Sequence, residues 1–128
     1  MIGEQDKAQQ NFELVRDWMY LKIRGKGIDK YLLELGYHSV SIYGAGDLGQ
    51  LLVSDLLQSK VEIKNIYDNN AMYIYLPIKV EKYTPRPLKV DCIIVTSYFV
   101  FDLIKDSLLK DNPNIPILNL MNIIKEIG

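Results

Sequence analysis

Three glycines set the chemistry open to this chain. Gly44, Gly46 and Gly49, in the run Tyr43-Gly44-Ala45-Gly46-Asp47-Leu48-Gly49, fit the G-x-G-x-x-G spacing of a phosphate-binding turn. The spacing assigns one task to each: Gly44 makes the tight turn, Gly46 leaves room for a pyrophosphate against backbone, and Gly49 lets a helix pack closely on the preceding strand. A helix starting near Asp47 aims its free N–H groups and the positive end of its dipole at bound phosphate. Gly44, Ala45, Gly46, Asp47, Leu48 and Gly49 are therefore candidate ligand-binding residues. Asp47 reads two ways: it repels phosphate if its side chain points there, and it favours the helix as an acid in the first turn.

Asp68 stands 24 residues beyond Gly44, where the fingerprint expects an acid about 20 positions on to bind ribose hydroxyls. Asn69 and Asn70 follow it with no arginine, and a carboxylate repels a 2′-phosphate, so NAD is expected over NADP. Asp68-Asn69-Asn70 reads equally as a plain turn. Thr96 and Ser97 end an apolar run on the same side of the motif and offer hydroxyls to a ribose or a substrate; Ser97 reads equally as a helix N-cap. Leu48 stands where the G-x-G-x-G loop of a methyltransferase places its third glycine, which leaves S-adenosylmethionine a less favoured ligand. A shell of this type that holds no ligand is the plain alternative.

Catalytic equipment is not visible. The chain has no Gly-x-Ser-x-Gly elbow and no P-loop lysine, and no catalytic residue is identified. His38, the one histidine, precedes the first strand and reads as structural. Cys92, the one cysteine, reads as a small buried hydrophobe, excludes an internal disulfide and leaves no Cys/His metal cluster to assemble.

The elements around the motif alternate. Helices are predicted over 4–24, where Phe12, Val15, Trp18, Met19 and Ile23 recur at helical steps, and over 28–35, with Gly36 as a left-handed cap. A strand over 40–43 runs into the glycines, and a helix over 47–59 presents Leu48, Leu51, Leu52 and Leu56 to a sheet. A strand over 61–67 ends at Asp68. Pro77, Pro85 and Pro87 argue against a helix in 69–88, which holds a short extended piece at 78–80. The continuous run 92–95 predicts a central parallel strand covered on both faces. A helix over 99–110, a strand over 115–118 and a helix capped by Asn119 close the chain. The fold class is α/β: a small Rossmann-like parallel sheet flanked by helices, with a helical extension over 1–36 and the nucleotide-binding domain over 37–128.

Nearly balanced charge, −1 overall, with scattered Lys and Arg, leaves no electrostatic footprint for nucleic acid. The longest mostly apolar run, 92–101, is too short to span a bilayer. The polar, acidic start, Met1-Ile2-Gly3-Glu4-Gln5-Asp6, lacks the pattern of a signal peptide. A cytoplasmic protein that does not enter membranes is the expectation.

The stretches Ser41–Gly49, Ile66–Asn70 and Val90–Ser97 resemble the small Rossmann-type domains attached to bacterial surface-polysaccharide enzymes: the leading domains of nucleotide-sugar dehydratases and epimerases, and of sugar acetyltransferases. The resemblance covers about residues 38–120. It implies binding of NAD or a nucleotide sugar near Gly44, Gly46, Gly49 and Asp68, in a module serving a separate catalytic partner in carbohydrate or cell-envelope metabolism. Two other readings compete: a scaffold whose helical extension docks a partner or forms a homodimer, and a small NAD- or nucleotide-sugar-dependent enzyme. The extension itself either pairs with a second copy or folds back over the sheet.

Overall fold

The computed structural model describes residues 3–128; Met1 and Ile2, the start of the polar leader, lie outside the described residues. The chain opens with α1 (Glu4–Ile23) and α2 (Ile28–Glu34), then β1 (Ser39–Tyr43), α3 (Asp47–Leu57) and β2 (Glu62–Tyr67). A 3-10 turn at Ala71–Tyr73 leads to the two-residue β3 (Val80–Glu81). There follow β4 (Cys92–Val95), a 3-10 turn at Tyr98–Val100, α4 (Phe101–Leu109), β5 (Ile117–Asn119) and α5 (Leu120–Ile127). All strand pairings are parallel, in the order β3-β2-β1-β4-β5. This is a small α/β Rossmann-like sheet with the glycine strand at its centre. The run 92–95 was expected to be central; it is an interior strand beside β1.

Successive residues of β4 face opposite layers, and all four are buried. Cys92 and Ile94 join a core with α1, α2, α3 and α5, while Ile93 and Val95 join Leu108 of α4 and Leu88 on the other face. Helices on both faces explain why this strand is apolar throughout rather than alternating. Burial pushes the Cys92 thiol up to about 12, with the neighbouring Asp91 carboxylate adding to the shift.

The first layer includes the helical extension. Leu14, Trp18 and Leu21 of α1 and Ile28 and Leu32 of α2 are buried in the same core as α3. Trp18 donates its indole N–H to Asp55 Oδ2 of α3 at 2.8 Å, and Lys22 Nζ lies 2.6 Å from Asp55 Oδ1. The extension thus folds back over the sheet. Its inward stripe differs from the one predicted: Trp18 is shared and Val15 packs, partly buried, against the same core, but Phe12, Met19 and Ile23 are exposed. Leu51 of α3 is exposed as well, and Val53 is buried in its place. In both helices several apolar stripes fit a period of 3.6, and only the third dimension selects one.

A bulge in β2 also matters. The pairing Val40 to Ile63 is followed by Ser41 to Asn65, skipping Lys64. Ile63 and Ile66 are three residues apart and would face opposite sides of a regular strand; the extra residue puts both in one core. Gly36 caps α2 at φ +84 as expected. Asn119 accepts from the Met121 N–H at 2.9 Å and caps α5. No helix among the described residues is long and apolar enough to cross a membrane.

Candidate functional site

The sheet order changes direction between β1 and β4, so the connections that leave their carboxyl ends lead to helices on opposite faces, α3 on one and α4 on the other. That is where open α/β sheets form their ligand crevice. The Gly44–Gly49 turn leaves β1 at this point and Thr96-Ser97 leaves β4 beside it, with the Thr96 N–H donating to Tyr43 O at 3.0 Å.

Gly44 has φ +106, a conformation suited to glycine. Its N–H donates to Tyr67 O of β2 at 2.8 Å. A Cβ on Gly44 would strike Thr96 Oγ1 and approach Ser97 Oγ to 3.2 Å. Gly49, in the first turn of α3, has no space for a Cβ either: it would run into the backbone carbonyl of Gly44. The third glycine is different. Gly46 caps α3 in ordinary extended backbone (φ −74, ψ −158), is solvent-exposed, and a Cβ there would meet nothing within 4 Å. Two glycines are thus required by the protein's own packing, and the middle one is not.

The turn is held from three sides. Asp68 accepts the Ala45 N–H on Oδ2 at 2.7 Å and the Asn70 N–H on Oδ1 at 2.8 Å. Its carboxylate ties the end of β2 to the glycine turn and also closes the local turn into Asn69, which is exposed. The Gln50 side chain donates to Ala45 O at 3.0 Å. Thr96 Oγ1 donates to Gly44 O at 2.9 Å and lies 3.3 Å from Tyr43 O. Thr96 is 4% exposed, so its hydroxyl serves the turn rather than an outside group, in place of the ribose contact expected of it. Ser97 is half-buried beside Gly44, Asp47 is exposed in the first turn of α3, and Leu48 packs into the core.

Sequence reasoning missed Gln50 as a brace; a polar residue directly after the motif was its only signal. It also missed an aromatic platform on the opposite face. Tyr83 packs edge-on against Tyr43, at 6.0 Å, and against Tyr67, at 5.3 Å. The Arg86 guanidinium donates to the Tyr67 hydroxyl at 2.9 Å. Burial, then the Asp68 carboxylate, raise the Tyr43 phenol above its ordinary range. Beyond β2, Met72, Tyr73 and Tyr75 stand exposed. His38 and Asp91 lie at the opposite, amino edge of the sheet, where Asp91 Oδ2 accepts the His38 N–H at 2.7 Å. No group of three His, Cys, Asp or Glu side chains suited to a metal ion occurs among the described residues.

Compared with family models, curated proteins and solved structures, the chain matches none.

Proposed function

We propose that this chain is a Rossmann-type module that binds a nucleotide at the Gly44–Gly49 turn, with NAD the preferred ligand and NADP, a nucleotide sugar or S-adenosylmethionine less favoured. The observation that carries this reading is Gly46. It is exposed at the N-terminus of α3, no side chain caps the helix, and the volume a Cβ would fill is open. A glycine that the fold does not need, at the positive end of a helix dipole, suits a site where phosphate approaches backbone.

Asp68 fits the same ligand. An ionised carboxylate offers about four lone-pair positions, and two backbone N–H groups use two of them. The remainder can accept ribose hydroxyls, and the negative charge disfavours a 2′-phosphate. Asn69 and Ser97 flank this place. The resemblance to polysaccharide-enzyme domains supports a role in nucleotide-sugar or cell-envelope metabolism beside a separate catalytic partner.

A second reading has its own observation. The bond between Ala45 and Asp68 satisfies a loop amide and an acid internally, as a scaffold without a ligand would require. Thermal-shift measurements with NAD, NADP, nucleotide sugars and S-adenosylmethionine separate the two. A ligand bound only by the folded state contributes about 2.7 kcal/mol at a hundredfold excess over Kd. An unfolding entropy of about 2.1 cal/mol/K per residue, over 128 residues, makes that a rise of about 10 °C in Tm. The shift is expected to vanish in Gly46→Val. No shift with any of these ligands favours the scaffold.

A further inference from the structure

We infer that Asn11 of the helical extension is a positioning residue for the glycine turn: it holds Tyr98, and through Tyr98 the Ser97 hydroxyl beside Gly44. The ligand concerned is the nucleotide proposed above, on which this assignment rests; the way the turn is held does not depend on it.

Ser97 is the centre of a three-residue turn. Its φ of −79 and ψ of 70 are those of an inverse γ-turn, and the Tyr98 N–H closes it on Thr96 O at 2.9 Å. Both residues before Tyr98 meet the glycines. Thr96 Oγ1 donates to Gly44 O at 2.9 Å, and Ser97 Oγ lies 3.2 Å from the place a Gly44 Cβ would take. With so short a link, the direction of the Ser97 side chain follows from where Tyr98 is anchored. Ser97 is half-buried at the crevice between β1 and β4, where its hydroxyl can meet a ligand held by the turn.

Tyr98 is anchored by α1. It is 7% exposed, in the core shared with α1 and α5, and burial raises its phenol above the ordinary range, so it stays a donor. The hydroxyl donates to Asn11 Oδ1 at 2.6 Å. Four residues earlier, on the same side of the helix, the Lys7 ammonium stands 4.3 Å from the centre of the Phe99 ring, which packs edge-on against Tyr98 at 5.6 Å. No residue from Glu4 to Glu13 is buried, and only Lys7, Gln10 and Asn11 are half-buried. Among the described residues, the Asn11 bond is the one hydrogen bond that ties this first half of α1 to another element. The extension thus ends on the loop at the ligand edge of the sheet, in addition to covering the core.

Unliganded protein tests this first. Backbone amide shifts of the full chain are compared for wild type, Asn11→Ala, Asn11→Asp, which keeps the acceptor, and Phe12→Ala, on the exposed side of the same helix turn. Asn11→Ala is expected to move the Ser97, Gly44 and Ala45 amides, Asn11→Asp to restore them and Phe12→Ala to leave them in place. With ligand, NAD affinity should fall about two- to tenfold in Asn11→Ala, as loss of one hydrogen bond gives. Tyr98→Phe, which removes the other end of the same bond, should reproduce both effects. Unmoved Ser97, Gly44 and Ala45 amides in Asn11→Ala overturn the positioning whatever the ligand, and moved amides with unchanged NAD affinity overturn its bearing on binding. Failure of NAD to bind the wild type counts against the nucleotide reading alone, and the amide shifts then decide by themselves whether Asn11 positions the turn.

Discussion

Alanine at Gly49 and at Gly46 should have opposite consequences, and the contrast tests the geometry of the turn. Gly49 lies in the first turn of α3, where helix propensity alone favours alanine over glycine by up to about 1 kcal/mol. A Cβ there, however, would overlap the Gly44 carbonyl, which is backbone and cannot swing aside. Overpacking of this kind costs about 1 to 3 kcal/mol, and an overlap with fixed backbone belongs at the upper end. The net expectation is a loss of about 2 kcal/mol. At about 0.27 kcal/mol per degree for a chain of this length, that lowers Tm by about 7 °C. At Gly46 the added methyl enters open space and extended backbone. A smaller unfolded-state entropy stabilises by about 0.4 to 1 kcal/mol, and replacing a good N-cap residue offsets part or all of it. Tm should move by no more than about 2 °C. Thermal denaturation followed by far-ultraviolet circular dichroism reads both. A rise of about 4 °C for Gly49→Ala, as propensity alone would give, refutes the close approach of α3 to Gly44.

Two further outcomes follow from the electrostatics. Asp55→Ala leaves the Trp18 indole N–H, in a residue 4% exposed, without its acceptor. A buried donor without a partner costs about 1 to 3 kcal/mol, so Tm should fall by about 4 to 11 °C, with Asp55→Asn losing less because it keeps an acceptor; the single tryptophan makes fluorescence a reporter of the surroundings of Trp18. Asp91 accepts backbone N–H groups from His38 and Ser39, and the His38 bond is the first cause holding its carboxyl below the ordinary 3.8. A depressed acid contributes stability that is present above 3.8 and is lost as pH falls through the lower folded value. The stability difference between wild type and Asp91→Asn should therefore be constant near neutral pH and close in strong acid; a difference that persists there would assign the effect to packing instead.

Much of the fold was legible because it is written in local chemistry. The run 92–95 has no polar residue, which only a strand covered on both faces tolerates. Gly36 and Asn119 sit where a left-handed cap and an N-cap are needed, and each does that work. The errors share one cause. Phe12, Val15, Met19 and Ile23 form as good a helical stripe as Leu14, Trp18 and Leu21, and periodicity cannot tell which stripe meets the core. Likewise, no signal in Glu62–Tyr67 announces a bulge at Lys64, because a bulge is a relation between two strands.

The glycine turn was legible in its positions and less so in its reasons. Spacing alone treats the three glycines as one fingerprint, but their surroundings divide them. Gly44 and Gly49 are required by contacts within the chain, with Thr96 and with each other, whether or not a ligand exists. The same holds for Asp68, whose two oxygens each already accept a backbone N–H. These residues would be glycine and aspartate in a ligand-free protein of this shape, so they carry little weight for binding. Gly46 carries nearly all of it, since neither its backbone angles nor its neighbours call for glycine. Comparing Gly46→Ala with Gly46→Val against NAD therefore weighs the functional reading most directly. Both variants should keep the fold, and ligand affinity should fall further as the side chain grows into the space a phosphate would occupy; equal affinity in wild type and both variants would remove the phosphate from this turn.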